Sequence, residues 1–416
     1  MLGTATPYPR HVAPRLREAL GDTPAVLVHG PRQCGKTTLA RVVGEPRGYR
    51  YVTFDDEAIR RAASNDPIGF VNGLHPKTIL DEVQRVPEIF TSLKAVIDRR
   101  RTPGRFILAG STNVLLVPGL ADSLAGRMGI LRLHPLAQSE LEGRRPHFID
   151  ALLRGRFKTV ISERLGIGLA ERITSGGYPA ALTRRSPARR RVWYRDHVET
   201  QIQRDVRDLT RIRSLDALPK LLALAAAQTA RLANIADLAA PFEVSRPTIQ
   251  EYVTLLERIF LLELLPSWHT NRLSRVVKRP KLHMADTGIA CSLLGIDAAA
   301  LDKERELLGS MLETFVLQEL RRQASARAEP PAFFHFRDRD DFEVDIVVEQ
   351  GHSAVAGIEV KAAATVGEAD FRGLRKLRDA AGRRFVAGVV LYDGSATIDF
   401  HNGMFAVALR TLWDAP

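Results

Sequence analysis

The stretch Gly30-Pro-Arg-Gln-Cys-Gly-Lys-Thr37 spaces two glycines, a lysine and a hydroxyl as G-x-x-x-x-G-K-[ST], the pattern of a loop that wraps phosphate oxygens in backbone N–H groups. In such a loop Lys36 brings a mobile cation to the terminal phosphates, and Thr37 offers its hydroxyl to Mg²⁺. The candidate nucleotide-binding run is therefore Gly30, Pro31, Arg32, Gln33, Cys34, Gly35, Lys36, Thr37 and Thr38, with ATP or ADP and Mg²⁺ as the expected ligands.

A second group completes that chemistry. Thr78-Ile-Leu-Asp-Glu82 reads as an apolar strand closing on two acids: Asp81 to hold the magnesium shell, Glu82 to activate the attacking water. The run Phe106-Ile-Leu-Ala-Gly-Ser-Thr-Asn113 ends in small polar residues, of which Asn113 or Ser111 is placed to sense a terminal phosphate or simply to begin a loop. Arg127, after Gly126, is either an arginine finger, acting in its own subunit or a neighbour's, or a surface cation.

Such groups need a scaffold that brings strand ends together. Apolar runs AVLVHG, YRYVTF, TILDEV and RFILAGS alternate with amphipathic stretches, which predicts βαβ units, a parallel sheet and a first domain over 1–145. The combination GPRQCGKTT, TILDEVQRVPEIF, FILAGSTN, SLAGRM and LHPLAQSE resembles the AAA-type ATPase domain of a widespread prokaryotic family, in which a C-terminal domain of unknown function follows. DTGIACSLLG, MLETFVLQEL, EVDIVV and IEVKAA continue the resemblance through the second half. It implies an α/β fold class: a P-loop NTPase sheet, a helical and winged-helix middle and a restriction-endonuclease-like α/β module. Homo-oligomerisation through the ATPase domain is a further expectation.

Residues 146–220 read as an Arg-rich helical linker, and 221–310 as a winged-helix-like domain. Asn234 caps a short helix, a turn with Pro241 follows, and Ser245 opens a longer amphipathic one. Helix, turn and capped second helix suit a DNA-binding unit whose exposed candidates are Arg246, Thr248, Gln250 and Glu251, with Arg272, Arg275, Lys278, Arg279 and Lys281 near a wing turn for phosphate contact. Glu251 and Glu257 on the same helix suit packing or protein contact equally.

The C-terminal 311–416 returns to mixed patterning. Metal-dependent phosphodiester cleavage needs two or three convergent carboxylates. Glu343 and Asp345 share one strand face by alternation, as do Glu359 and Lys361, while fourteen residues separate Asp345 from Glu359, right for antiparallel neighbours. With Glu313 upstream, the order resembles the PD-(D/E)XK nuclease fold, although no proline precedes Asp345. The candidate metal set is Glu313, Asp345 and Glu359 with Lys361, for Mg²⁺ or Mn²⁺, with Glu343 and Glu349 as alternative assignments.

The totals restrict the remaining choices. The 416 residues exceed one core's usual reach, and 45% hydrophobic with 26% charged residues describes a globular chain. Two cysteines, Cys34 and Cys291, argue against a disulfide framework. No apolar run is long enough for a membrane helix, and the N-terminal stretch lacks a signal-like apolar core, so a cytoplasmic location is expected. Net charge is +12, clustered in ten arginines against four acids between Arg184 and Arg213 and in five cations with no acid from Ser267 to Ala285, which favours a polyanionic partner. The expectation is an ATPase coupled to DNA; the alternative is a nucleotide-dependent switch for a protein partner with an inert C-terminal module.

Overall fold

In a computed structural model, residues 7–414 are described except 112–125, 207–215, 243, 272, 274, 276 and 277. Two compact units emerge: Met1–Leu136 with Arg258–Phe260 and Ser325–Ala328, and the remainder, Ala137–Glu257, Leu261–Ala324 and Glu329–Pro416.

The first unit is a five-stranded sheet of β1 (Ala25–His29), β2 (Arg50–Thr53), β3 (Thr78–Asp81), β4 (Phe106–Gly110) and β5 (Met128–Arg132), in the order β2-β3-β4-β1-β5. Every adjacent pair is parallel. The continuous apolar runs of β1, β3 and β4 are what a sheet covered on both faces requires. Alternation divides them accordingly. Ala25, Leu27, Leu80 and Leu108 pack against Phe54, Phe90 and Ile97, while Val26, Val28, Ile79 and Ile107 pack against Leu16, Leu39 and Val43. Strand β5 lies outside the apolar runs that predict strands: intermediate exposure at Met128 and Gly129 and an exposed Ile130 mark an edge strand, which lacks the continuous apolar run of a strand covered on both faces. The helix Lys36–Gly44 leaves directly from the glycine-rich loop after β1.

The second unit holds two sheets. The smaller comprises β6 (Arg231–Leu232), β7 (Leu262–Leu265) and β8 (Lys281–Met284), antiparallel throughout, in the order β6-β8-β7. Helix Ala217–Ala227 precedes β6, and helices Ile235–Ala239 and Arg246–Arg258 lie between β6 and β7. Asn234 caps the first of that pair by accepting from Ala236 N–H at 3.1 Å. Ser245 Oγ accepts from Thr248 N–H at the start of the second.

The larger, mixed sheet has six strands: β9 (Ala332–Arg337), β10 (Glu343–Gln350), β11 (Ala354–Lys361), β12 (Phe385–Tyr392), β13 (Ile398–Asp399) and β14 (Met404–Ala408), ordered β13-β14-β12-β11-β10-β9. Strands β9, β10 and β11 form an antiparallel meander, then β11, β12 and β14 run parallel. Helix Arg372–Ala381 presses on this sheet so closely that a Cβ at Gly373 would lie 1.9 Å from the Glu343 carbonyl oxygen. Helix Arg305–Ala324 is buried along most of its length.

Candidate functional site

The loop after β1 is shaped by its glycines. At Gly30 a Cβ would sit 2.1 Å from the Leu133 carbonyl oxygen, so only glycine lets the loop pass beside the chain following β5. Gly35, at φ +103, caps the helix Lys36–Gly44 in a conformation side chains resist. Arg10 braces the loop from the N-terminal segment, donating from Nη1 to Cys34 O at 2.7 Å and from Nη2 to His134 O at 2.5 Å. No motif points to Arg10; only the fold brings it there.

Lys36 is buried, its Nζ donating to Gly30 O at 3.0 Å and Pro31 O at 2.8 Å. Cys34 is fully buried and burial raises its thiol pKa, which leaves it a packing residue rather than a nucleophile. Burial, with Arg132 and Lys36 nearby, lowers His29 to about 4 and keeps it neutral at the mouth of β1.

Parallel pairing brings the end of β3 beside this loop. Thr37 Oγ1 donates to Asp81 Oδ2 at 2.8 Å, and the Tyr51 hydroxyl from β2 donates to the same oxygen at 2.9 Å. Burial raises the Asp81 pKa, against the opposing hydrogen bond from Thr37. Burial and then the Asp81 charge push Tyr51 up to about 12, so it remains a donor. Two hard oxygens, the Thr37 hydroxyl and the Asp81 carboxylate, are the donor types Mg²⁺ takes, and they lie together.

Glu82 turns through the left-handed region at φ 55, its N–H donating to Asp81 Oδ1. Its Oε2 accepts from Ser111 Oγ at 2.9 Å and from Gln84 Nε2, so the end of β4 holds the carboxylate that follows β3. Asn113 lies outside the described residues. Arg127 makes a two-point ion pair with Asp98, Nε to Oδ1 at 2.5 Å and Nη2 to Oδ2 at 3.0 Å.

In the second unit the expected acids do gather, around a cation, Lys281, that was expected at the wing turn instead. The Lys281 side chain is 3% exposed, and its Nζ lies 2.7 Å from Glu343, 2.9 Å from Glu313 and 3.2 Å from Asp345. Asp345 Oδ2 also accepts from Val360 N–H at 2.9 Å. Lys361 bonds Glu359 at 2.8 Å, while Glu359 Oε2 is buried without a hydrogen-bond partner. The residues expected to hold a divalent ion thus include two, Glu313 and Asp345, that pair with Lys281. An ammonium already sits among the carboxylates, and a dication there would face that charge at bonding distance. Among the described residues, no group of three or more His, Cys, Asp or Glu side chains is arranged to hold a metal.

The wing cations separate into two kinds. Lys278 and Arg279 are exposed, as are Arg246 and Gln250, with Thr248 half-buried. Arg275, expected at the surface, is instead locked to Glu349 at 2.6 and 3.1 Å, with side chains 9% and 5% exposed, and stacks on Phe334 and Trp268. Arg272 lies outside the described residues.

Comparison with known proteins places these features in a lineage. The uncharacterised proteins Rv2008c of Mycobacterium tuberculosis and Mb2031c of Mycobacterium bovis are each 30% identical over 358 residues, covering 86% of this chain and 74% of theirs. An AAA domain profile matches residues 22–142, and two domains of unknown function match 167–300 and 308–412. The chain belongs to this AAA-domain family. Its P-loop ATPase domain, matched over residues 22–142, contains the loop, Asp81 and Glu82 described above. Among solved structures, this AAA-family chain is similar to the Walker-type ATPase PABY2304 of Pyrococcus abyssi, at 16% identity over 69% of this chain and 96% of that one, TM-score 0.42. It is also similar to the RuvB Holliday junction branch migration motor of Thermotoga maritima, at 19% identity over 65% and 90%, TM-score 0.29. No described helix of this family member is long and apolar enough to cross a membrane.

Proposed function

We propose that this chain binds Mg-ATP at the glycine-rich loop and hydrolyses it, and that hydrolysis is coupled to nucleic-acid contact by the second unit. The observation that carries the reading is the Thr37 to Asp81 hydrogen bond, which joins a phosphate-loop hydroxyl to a strand-end carboxylate. Thr37 and Asp81 would hold Mg²⁺, which supplies charge neutralisation on the terminal phosphates when bound. Lys36 exchanges its two loop carbonyls for phosphate oxygens, and backbone N–H groups from Gln33 to Thr38 line the anion. Glu82 takes the proton of the attacking water; Ser111 and Gln84 orient its carboxylate.

For the coupled partner, the succession helix, β6, two helices, β7 and β8, with an antiparallel three-stranded sheet, supports a winged helix. Arg246, Thr248 and Gln250 face a groove in this reading, and Lys278 and Arg279 contact phosphates. A defined test is the ATPase rate with and without duplex or branched DNA at moderate salt. Stimulation lost in Arg246→Ala/Lys278→Ala supports DNA coupling; no binding and no rate change with any nucleic acid removes it.

The burial of Arg275 favours a second reading, because it withdraws one cation from the wing. In that reading the middle region recognises a protein partner and ATP acts as a switch. A homo-oligomer through the ATPase domain, with Arg127 released from Asp98 toward a neighbour's nucleotide, is compatible with either and is tested by light scattering with and without ATP.

A further inference from the structure

The Lys281 cluster calls for an explanation beyond hydrolysis and coupling. Lysine side chains are rarely this buried, and the cost is met only where their protons and charge are fully answered. The three ammonium protons of Lys281 have three separate carboxylate partners, from helix Arg305–Ala324 and twice from β10. The strand bearing Lys281 belongs to the small sheet, so the contact joins the two sheets of the second unit.

We infer that Lys281 is the resident cation of the C-terminal acidic cluster: its ammonium fills the place a divalent ion would take among Glu313, Glu343 and Asp345, making the module metal-independent. The geometry supports this in two further ways. Asp345 presents both oxygens inward, one to Lys281 and one to Val360 N–H, so its carboxylate is oriented as tightly as a metal ligand's. Glu359, one position beyond the Ile346–Ile358 pair of the β10–β11 ladder and so opposite Asp345, keeps a buried oxygen with no hydrogen-bond partner beside the same charges. Lys281 therefore both closes the cluster to metal and ties β8 to β10.

The inference does not depend on the ATPase reading, and its test avoids nucleotide altogether. Metal-stripped full-length protein is titrated with Mn²⁺, with bound ion followed by electron paramagnetic resonance, for wild type, Lys281→Met, Lys281→Met/Asp345→Asn and Asp345→Asn; folding is checked by circular dichroism. The expected result is no Asp345-dependent Mn²⁺ site in wild type, and one added site per chain in Lys281→Met that disappears in the double variant. The gain should be about 10-fold or more in affinity, the least that groups bordering a metal usually exert. A wild-type Mn²⁺ site lost in Asp345→Asn overturns the inference, as does a folded Lys281→Met that gains none. Should Lys281→Met fail to fold, the wild-type and Asp345→Asn titrations still decide whether metal resides there. The charge-preserving Lys281→Arg then supplies a folded variant, expected to exclude Mn²⁺ as wild type does and to contradict the inference if it does not.

Discussion

Thr37 and Asp81, forty-four residues apart, meet in a 2.8 Å hydrogen bond because β1 and β3 run parallel on either side of β4. Each carries an oxygen suited to magnesium. Their pairing predicts that Thr37→Ala and Asp81→Asn each lower kcat by about 100-fold or more while raising the Mg²⁺ concentration needed for half-maximal rate, as loss of a charge-stabilising contact does elsewhere. Steady-state assays across a magnesium titration check this. Unchanged magnesium dependence in both variants would contradict the shared role.

Gly30 is predicted to be indispensable for folding of the loop rather than for chemistry alone. Its Cβ position lies 2.1 Å from the Leu133 carbonyl oxygen, a backbone atom that cannot move aside as a side chain tip would. Gly30→Ala should cost about 3 kcal/mol of stability, within the range of severe backbone strain and overpacking. Thermal unfolding monitored without nucleotide measures it, and a melting temperature equal to wild type would refute the close approach.

How much of this was legible beforehand differs by residue. The phosphate loop announces itself because all its determinants are local, and Asp81 follows because an apolar strand ends on it. Tyr51 carries no such mark: it reaches Asp81 only because β2 is the neighbour of β3. Lys281 looked like one more basic residue beside a wing turn, since its three partners lie 32, 62 and 64 residues downstream and only the packing of two sheets unites them. Arg275 failed as a surface cation for the same reason, its partner Glu349 being 74 residues away. The antiparallel meeting of Asp345 with Glu359 was readable from spacing, because hairpin register follows from loop length.

Glu359 makes stability depend on pH in a direction opposite to an ordinary salt-bridged acid. Burial first, then the Asp345 charge, pushes its pKa up from 4.5 to about 8. Between those values the folded chain keeps a proton that the unfolded chain has lost, so stability is fuller at the acid end and declines as pH rises toward 8. The slope for one proton is at most about 1.4 kcal/mol per pH unit. Denaturation midpoints from pH 5 to 8 should therefore fall more steeply in wild type than in Glu359→Gln. Parallel profiles would contradict the assignment.

Glu349 behaves the other way. Burial alone would raise its pKa, but hydrogen bonding and charge from Arg275, with Trp268 and Arg384 adding to them, lower it below the ordinary value of 4.5. Its contribution to stability is present above that value and is lost as pH falls through the lowered one. Arg275→Met leaves the buried Glu349 carboxylate with Arg384, at 3.0 Å, as its remaining ion-pair partner and should cost about 2 kcal/mol at neutral pH, less than the complete breaking of a buried pair. Urea denaturation of Arg275→Met and of Arg275→Met/Glu349→Gln checks this: the double variant should recover part of the loss, and an undiminished loss would place the cost in packing against Trp268 and Phe334 instead.

The central claim is hydrolysis at the phosphate loop with Glu82 as the base, and the most direct measurement compares ATP binding with ATP turnover in wild type, Lys36→Ala and Glu82→Gln at saturating Mg²⁺. Wild type should release phosphate, Lys36→Ala should lose both binding and turnover, and Glu82→Gln should bind ATP normally while turnover drops about 100-fold or more. Turnover by Glu82→Gln at the wild-type rate would contradict the account.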